Sequence, residues 1–286
     1  MQWDSVPSLR KPVLVAAFTG WNDGADAASD ALRWLSGRYE AVRFASLDPD
    51  AHIDFQASRP LVELSDGVTR KIHWPEIRFE SAILDSANGP DLILCTGPEP
   101  NLQWRGLCAD IITVARETAC ETIVTFGALL ADAPHTRPVR CTGATTDPAD
   151  MDRLDLTRSH YSGPTGITGV LHDACRTAGM SSVSIWAPVP HYVAGPPNPP
   201  ATLALLDRFA TFTGLDLDLR ELTVSAEAWR SRIDMTVSDD EDLASYVRGL
   251  EEQADDLEQL DHADDVATGD SIAEAFEEYL RDQTEG

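Results

Sequence analysis

The chain has 286 residues, with 48 Asp and Glu against 22 Lys and Arg, a formal net charge of -26 at pH 7. That length buries a full core, and the charge repels phosphates instead of neutralising them, which argues against a nucleic-acid partner. Only Lys11 and Lys71 supply lysine, and neither follows a glycine loop, so a P-loop nucleotide site is excluded as well.

The charge is unevenly placed: Ser238 to Gly286 holds 18 acidic residues against two Arg. The first apolar run is about seven residues, too short to span a bilayer or serve as a leader, so a cytoplasmic protein is expected. Five cysteines, Cys95, Cys108, Cys120, Cys141 and Cys175, lie inside apolar segments with no CxxC pair, and read as reduced core residues, with neither disulfides nor a zinc site.

In chain order, Met1 to Pro12 is a polar lead-in. Val13 to Phe18 is apolar without alternation, as for a strand covered on both faces of a mainly parallel sheet. Ala28, Ala31, Leu32 and Leu35 then give one helical stripe, with Gly37 as a left-handed stop. Between them Thr19 to Gly24 is a polar loop at a strand's carboxyl end, where open α/β sheets place ligands. Asn22 and Asp23 either cap the helix or, with Gly24, belong to a site. Ala41 to Ser46 completes a βαβ unit, Asp48 to Pro60 has no period and reads as a loop, and Leu61 to Trp74 is a hairpin about Asp66-Gly67, expected to extend or cover a sheet edge.

Asp91 to Thr96 repeats the opening pattern, followed by a polar turn with Glu99 and Asn101 and a helix from Leu102 to about Ala119. Glu99 and Asn101 fall on the same rim as Asn22 and Asp23 if the strands are parallel, though Glu99 equally reads as a solvated loop carboxylate. Strands follow at Glu121 to Leu130 and Val139 to Ala144, joined by the loop Ala131 to Pro138 with His135 and Arg137. Gly163, Gly166 and Gly169 precede a helical run, where they admit either an anion at a helix start or close packing. Ser182 to Val189 is a last strand running into His191 and Tyr192, and a lone histidine there is either structural or functional. Thr202 to about Thr213 is helical. Beyond it come acidic helices at Leu222 to Met235, Asp239 to Leu260 and Ser271 to Arg281. The division expected is a core over 1–215 and an acidic helical extension over 216–286.

Together FTGWNDGADAASDALRWL (Phe18 to Leu35), LILCTGPEPNLQW (Leu92 to Trp104), FGALLADAPHTRP (Phe126 to Pro138), GPTGITGVL (Gly163 to Leu171), VPHYVAGPPNPPAT (Val189 to Thr202) and GDSIAEAFEEYLRD (Gly269 to Asp282) resemble the proteasome assembly chaperone-like family, in its actinobacterial branch. The resemblance spans nearly the whole chain. It implies an α/β fold, a three-layer αβα sandwich similar to phosphorylases and hydrolases with a carboxyl-terminal helical extension, and homo-oligomers such as a trimer. Relatives that dock on the proteasome through a terminal hydrophobic-Tyr-any residue tail differ here: Tyr279 is internal and the sequence closes on Asp282 to Gly286, so docking by that route is not expected.

Two functions remain. One is a non-enzymatic, oligomeric, chaperone-like scaffold whose acidic helical region and sheet edges bind protein and which needs no cofactor or metal, consistent with the lack of GxSxG, HExxH and Walker signatures. The other is a hydrolase, phosphorylase-like enzyme or small-molecule binder whose pocket at the strand ends gathers Asn22, Asp23, Gly24, Glu99, Asn101, Gly163, Gly166, His191 and Tyr192. Its acid-base chemistry requires the carboxylates and the imidazole to converge.

Overall fold

The computed structural model describes residues 1–266 apart from 66, 68, 85–88, 159 and 160. In chain order the elements are β1 (Gln2–Trp3), β2 (Val13–Thr19), α1 (Ala27–Arg38), β3 (Val42–Ser46), α2 (Pro49–His52), β4 (Leu61–Ser65), β5 (Thr69–His73), β6 (Arg78–Ala82), β7 (Leu92–Pro98), α3 (Trp104–Glu117), β8 (Thr122–Ala131), β9 (Thr142–Thr145), α4 (Ala149–Arg153), β10 (Thr157–Arg158), α5 (Ile167–Thr177), β11 (Ser181–Pro190), α6 (Pro199–Thr213), α7 (Arg220–Ser238) and α8 (Glu241–Val266). The helix expected over Ser271 to Arg281 lies outside the described residues.

Nine strands form one sheet in the order β1-β3-β6-β7-β2-β8-β11-β9-β10. Its centre, β7-β2-β8-β11, is parallel, with Phe18 opposite Gly97 and Trp186 opposite Gly127. β1 runs antiparallel to β3, β6 antiparallel to both β3 and β7, and β9 antiparallel to β11, while β10 pairs parallel with β9. Unbroken apolar runs suit these central strands because both faces are covered. On one face Val15, Val124, Phe126 and Ile185 pack under α1 and α6; on the other Leu14, Phe18, Ile93 and Phe79 pack under α3 and α5. These three layers are the αβα sandwich, and the helices α7 and α8 follow it. Phe126 meets Phe209 of α6 edge-on at 5.8 Å, a buried aromatic contact worth more than its area alone.

Several local expectations change. Gly37 stays inside α1; the left-handed position falls on Glu40 (φ 48°), where the Ala41 amide reaches back to the Ser36 carbonyl at 2.9 Å. The segment expected to be a loop contains the short helix α2, capped by the Asp48 side chain. The hairpin β4-β5 forms where expected but as a sheet of its own. β1 already occupies the edge of β3, and β6 has entered between β3 and β7, so no ladder position is left for it there. The five cysteines are free and buried, and burial pushes every thiol up, Cys108 and Cys120 to about 11 and Cys141 and Cys175 to about 12. Thiols held protonated in this way are poor nucleophiles.

Candidate functional site

The neighbouring parallel strands β2 and β7 end together, Thr19 opposite Pro98, and the Glu99 amide donates to the Thr19 carbonyl at 2.8 Å. This register puts the loop after β2 beside the turn after β7. Asn22 is fully buried. Its Nδ2 donates to Glu99 Oε1 at 2.5 Å, and its Oδ1 accepts from Thr168 Oγ1 at 3.0 Å. The Ile167 amide, at the start of α5, donates to the same Glu99 oxygen at 3.0 Å. Gly166 makes the approach possible: a Cβ there would stand 1.9 Å from Asn22 Oδ1. Asn22, Glu99 and Gly166 therefore meet in one packed polar knot that ties β2, β7 and α5 together, in which every buried polar group named has a partner.

Asp23 sits beside the knot and caps α1, its Oδ1 accepting from the Ala28 and Ser29 amides at 2.8 and 3.1 Å. Its Oδ2 is buried without a partner. Burial raises its carboxyl above the ordinary aspartate value; the hydrogen bonds from Ser29 and Ala28 offset this only in part, and Asp26 adds to it. Gly24 lets the loop pass close to β8, since a Cβ there would lie 3.3 Å from the Ala128 carbonyl oxygen. Asn101 is held by the Asp54 amide, which donates to its Oδ1 at 2.8 Å. Gly163 lies in the loop before α5, against the Tyr161 hydroxyl.

His191 and Tyr192 belong to a different cluster, at the end of β11 under the acidic helices. His191 Nδ1 stands 3.3 Å from Asp132 Oδ1, and its Nε2 3.4 Å from the Tyr246 hydroxyl. The Tyr192 hydroxyl accepts the His135 amide at 2.8 Å and meets His135 Nδ1 at 2.7 Å, while His135 Nε2 meets Asp234 Oδ1 at 3.0 Å. Burial pushes the Tyr192 phenol up to about 12, despite the His135 amide. Arg137 in the same loop binds Asp255 through Nε and Nη2 at 2.7 and 2.8 Å. Among the described residues no hydrogen bond or ion pair joins Asp23 or Glu99 to a histidine, and no group of three His, Cys, Asp or Glu is placed to hold a metal ion.

These features sit on a sequence that matches the PAC2 family over residues 17–237. The chain belongs to the PAC2 family. It is 45% identical to a PAC2 family protein from Streptomyces avermitilis, covering 82% of this chain and 99% of that one with a TM-score of 0.76. A Mycobacterium tuberculosis proteasome-assembly chaperone homologue is 43% identical over 82% of this chain and 99% of its own, also with a TM-score of 0.76. PbaB of Pyrococcus furiosus, an archaeal proteasome activator, shares the fold at 16% identity, 82% and 96% coverage and a TM-score of 0.64. No curated protein matches the sequence. No helix among the described residues is long and apolar enough to cross a membrane.

Two surfaces of this PAC2 protein flank the knot. Trp21, Leu129 and Leu130 are 64%, 40% and 51% exposed, and the bridge between Asp23 and Ala128 sets the loop that carries Trp21 against the end of β8. On the other side, a cleft of about 480 Å³ opens between Thr19, Ser58, Glu99, Asn101 and Trp104. Sequence reasoning reached the strand-end residues but missed Thr168, Ser58 and Trp104, and the partners Asp234 and Tyr246. Thr168 and Ser58 sit on elements far from the knot in sequence. Asp234 and Tyr246 lie in helices where an acid or an aromatic carries no local signal.

Proposed function

We propose that this PAC2 protein is a cytoplasmic, oligomeric and non-enzymatic scaffold of the chaperone-like kind, which binds other proteins through the rim at the carboxyl ends of its central strands. The observation that carries this reading is the pairing of a filled polar knot with exposed large apolar side chains. Asn22 and Glu99 hold each other and α5 in place, while Trp21, Leu129 and Leu130 stand in solvent beside them. Exposed apolar side chains grouped on a rigid support suit a protein interface, with an aromatic anchor at its centre. Membership of the PAC2 family and the likeness to a proteasome-assembly chaperone homologue support the same reading. The acidic helices from residue 216 act as an attached unit fastened over the loop after β8 by Arg137 and His135.

The test is a binding measurement between the purified protein and the α-subunits of the proteasome core particle from its own source, together with light scattering of the protein alone. The expected result is self-association, with a trimer as the assembly the family suggests, and complex formation weakened about tenfold or more by Trp21→Ser with Leu130→Asp. A monomer at micromolar concentration that binds no core-particle subunit overturns the proposal.

A further inference from the structure

The cleft beside Glu99 has chemistry of its own. Glu99 Oε1 is committed to Asn22 and Ile167, but Oε2 accepts no hydrogen bond among the described residues. Gly20, at φ 116°, forms the facing wall: a Cβ there would lie 4.0 Å from Oε2, so the missing side chain leaves that oxygen open. A larger residue would also be strained at this backbone angle. Trp104 lines the cleft with its ring fixed in place, because Nε1 donates to the Pro100 carbonyl at 2.6 Å. The hydroxyls of Thr19 and Ser58 carry no hydrogen bond among the described residues, and neither does Asn101 Nδ2. Glu99 is the one charged residue among those lining the cleft. Asp54, whose amide donates to Asn101 Oδ1, lines a second cleft of about 380 Å³ together with Asp50.

From these contacts we infer that the cleft binds an organic cation, a guanidinium or ammonium head on a hydrocarbon stem. The head pairs with Glu99 Oε2 and donates to the Thr19 and Ser58 hydroxyl oxygens, and the stem lies on the Trp104 ring. A carboxylate next to an aromatic face is the combination that recognises such cations. A volume of about 480 Å³ accommodates a ligand the size of one or two amino acids. The inference does not depend on the apolar rim, and it survives if that rim binds no protein.

Isothermal titration calorimetry at low salt tests it, using N-acetyl-arginine methylamide, agmatine and, as the neutral isostere, N-acetyl-citrulline methylamide. One saturable site for either cation is expected, with the citrulline compound at least about tenfold weaker. Tighter binding of the capped arginine than of agmatine assigns the cation to a peptide, and the reverse order to a free amine. Glu99→Gln keeps an oxygen for Asn22 and Ile167 but replaces the open carboxylate oxygen by an amide, and is expected to weaken the cation about tenfold or more. Ser58→Lys, on a surface loop outside the knot, places a resident cation in the cleft and is expected to do the same. No saturable binding of either cation, equal binding of the citrulline compound, or affinity unchanged in both variants overturns the inference.

Discussion

Two buried aspartates lie at opposite ends of the paired central strands β2 and β7, and their surroundings differ. Asp91, just before β7, accepts the Arg10 and Leu84 amides at 2.6 and 3.0 Å and pairs with the Arg10 guanidinium at 3.0 Å. Burial opposes its charge, but the Arg10 side chain and these amides outweigh it and hold the carboxyl below the usual range. Asp23, just after β2, has two amides, no cation and one oxygen without a partner, and burial raises it. The aspartate at the amino-terminal end of these strands is thus paired with a cation, while the one at the carboxyl-terminal rim caps α1 with a single oxygen and no cation.

The largest effect should come from breaking the anchor. Asp91→Ala strips the acceptor from two amides and the partner from Arg10, and is expected to lower unfolding stability by about 3 kcal/mol in denaturant titration. Next is Gly166→Ala, whose Cβ meets Asn22 Oδ1. It should cost about 2 kcal/mol and loosen α5 from the rim, seen as faster amide exchange at Ile167 and Thr168. Asp23→Asn keeps one oxygen for the Ala28 and Ser29 amides and removes the buried charge, so its stability at neutral pH should change by less than about 1 kcal/mol or rise. A matching Asp91→Asn should be clearly destabilising, and equal losses in the two variants would dissolve the contrast.

The smallest effect is the pH dependence. For Asp91, whose folded value is lowered, the stability contribution is present above the ordinary 3.8 and is lost as pH falls through the folded value. For Asp23, whose folded value is raised, the sign reverses: stability falls as pH rises above 3.8, until the folded carboxyl also ionises. The stability profile across this range should therefore lose the Asp91 share of the acid-side decline in Asp91→Asn and the Asp23 share of the decline above 3.8 in Asp23→Asn, each read as the difference from the wild type.

The same contrast separates what was legible in the sequence from what was not. β2, β7, β8 and β11 were readable because strands covered on both faces are apolar throughout, and their parallel order predicted that Asn22 and Glu99 would share a rim. β6 was not readable: in Arg78–Ala82 Phe79 and Ala82 are buried but the polar residues between hide the run. β10 is too short to carry a period, whereas β9 falls at the end of the strand expected over Val139 to Ala144. The left-handed turn fell on Glu40 instead of Gly37 because the hydrogen bond from Ala41 to Ser36 sets the helix end. At the site, Thr168 reaches Asn22 only because α5 crosses the sheet. His191 and Tyr192 leave the knot because β11 delivers them to the loop of His135, under helices whose acidic pattern gave no hint of what they cover.

The most direct test of the central claim, that the rim is a protein-binding surface and not an acid-base centre, is sedimentation of the protein with and without the proteasome α-subunits, in the wild type and in Trp21→Ser with Leu130→Asp. The account predicts a complex that forms with the wild type and is lost in the double variant while the fold, read by thermal unfolding, is unchanged. A complex indifferent to these substitutions, or no complex with either protein, would contradict it.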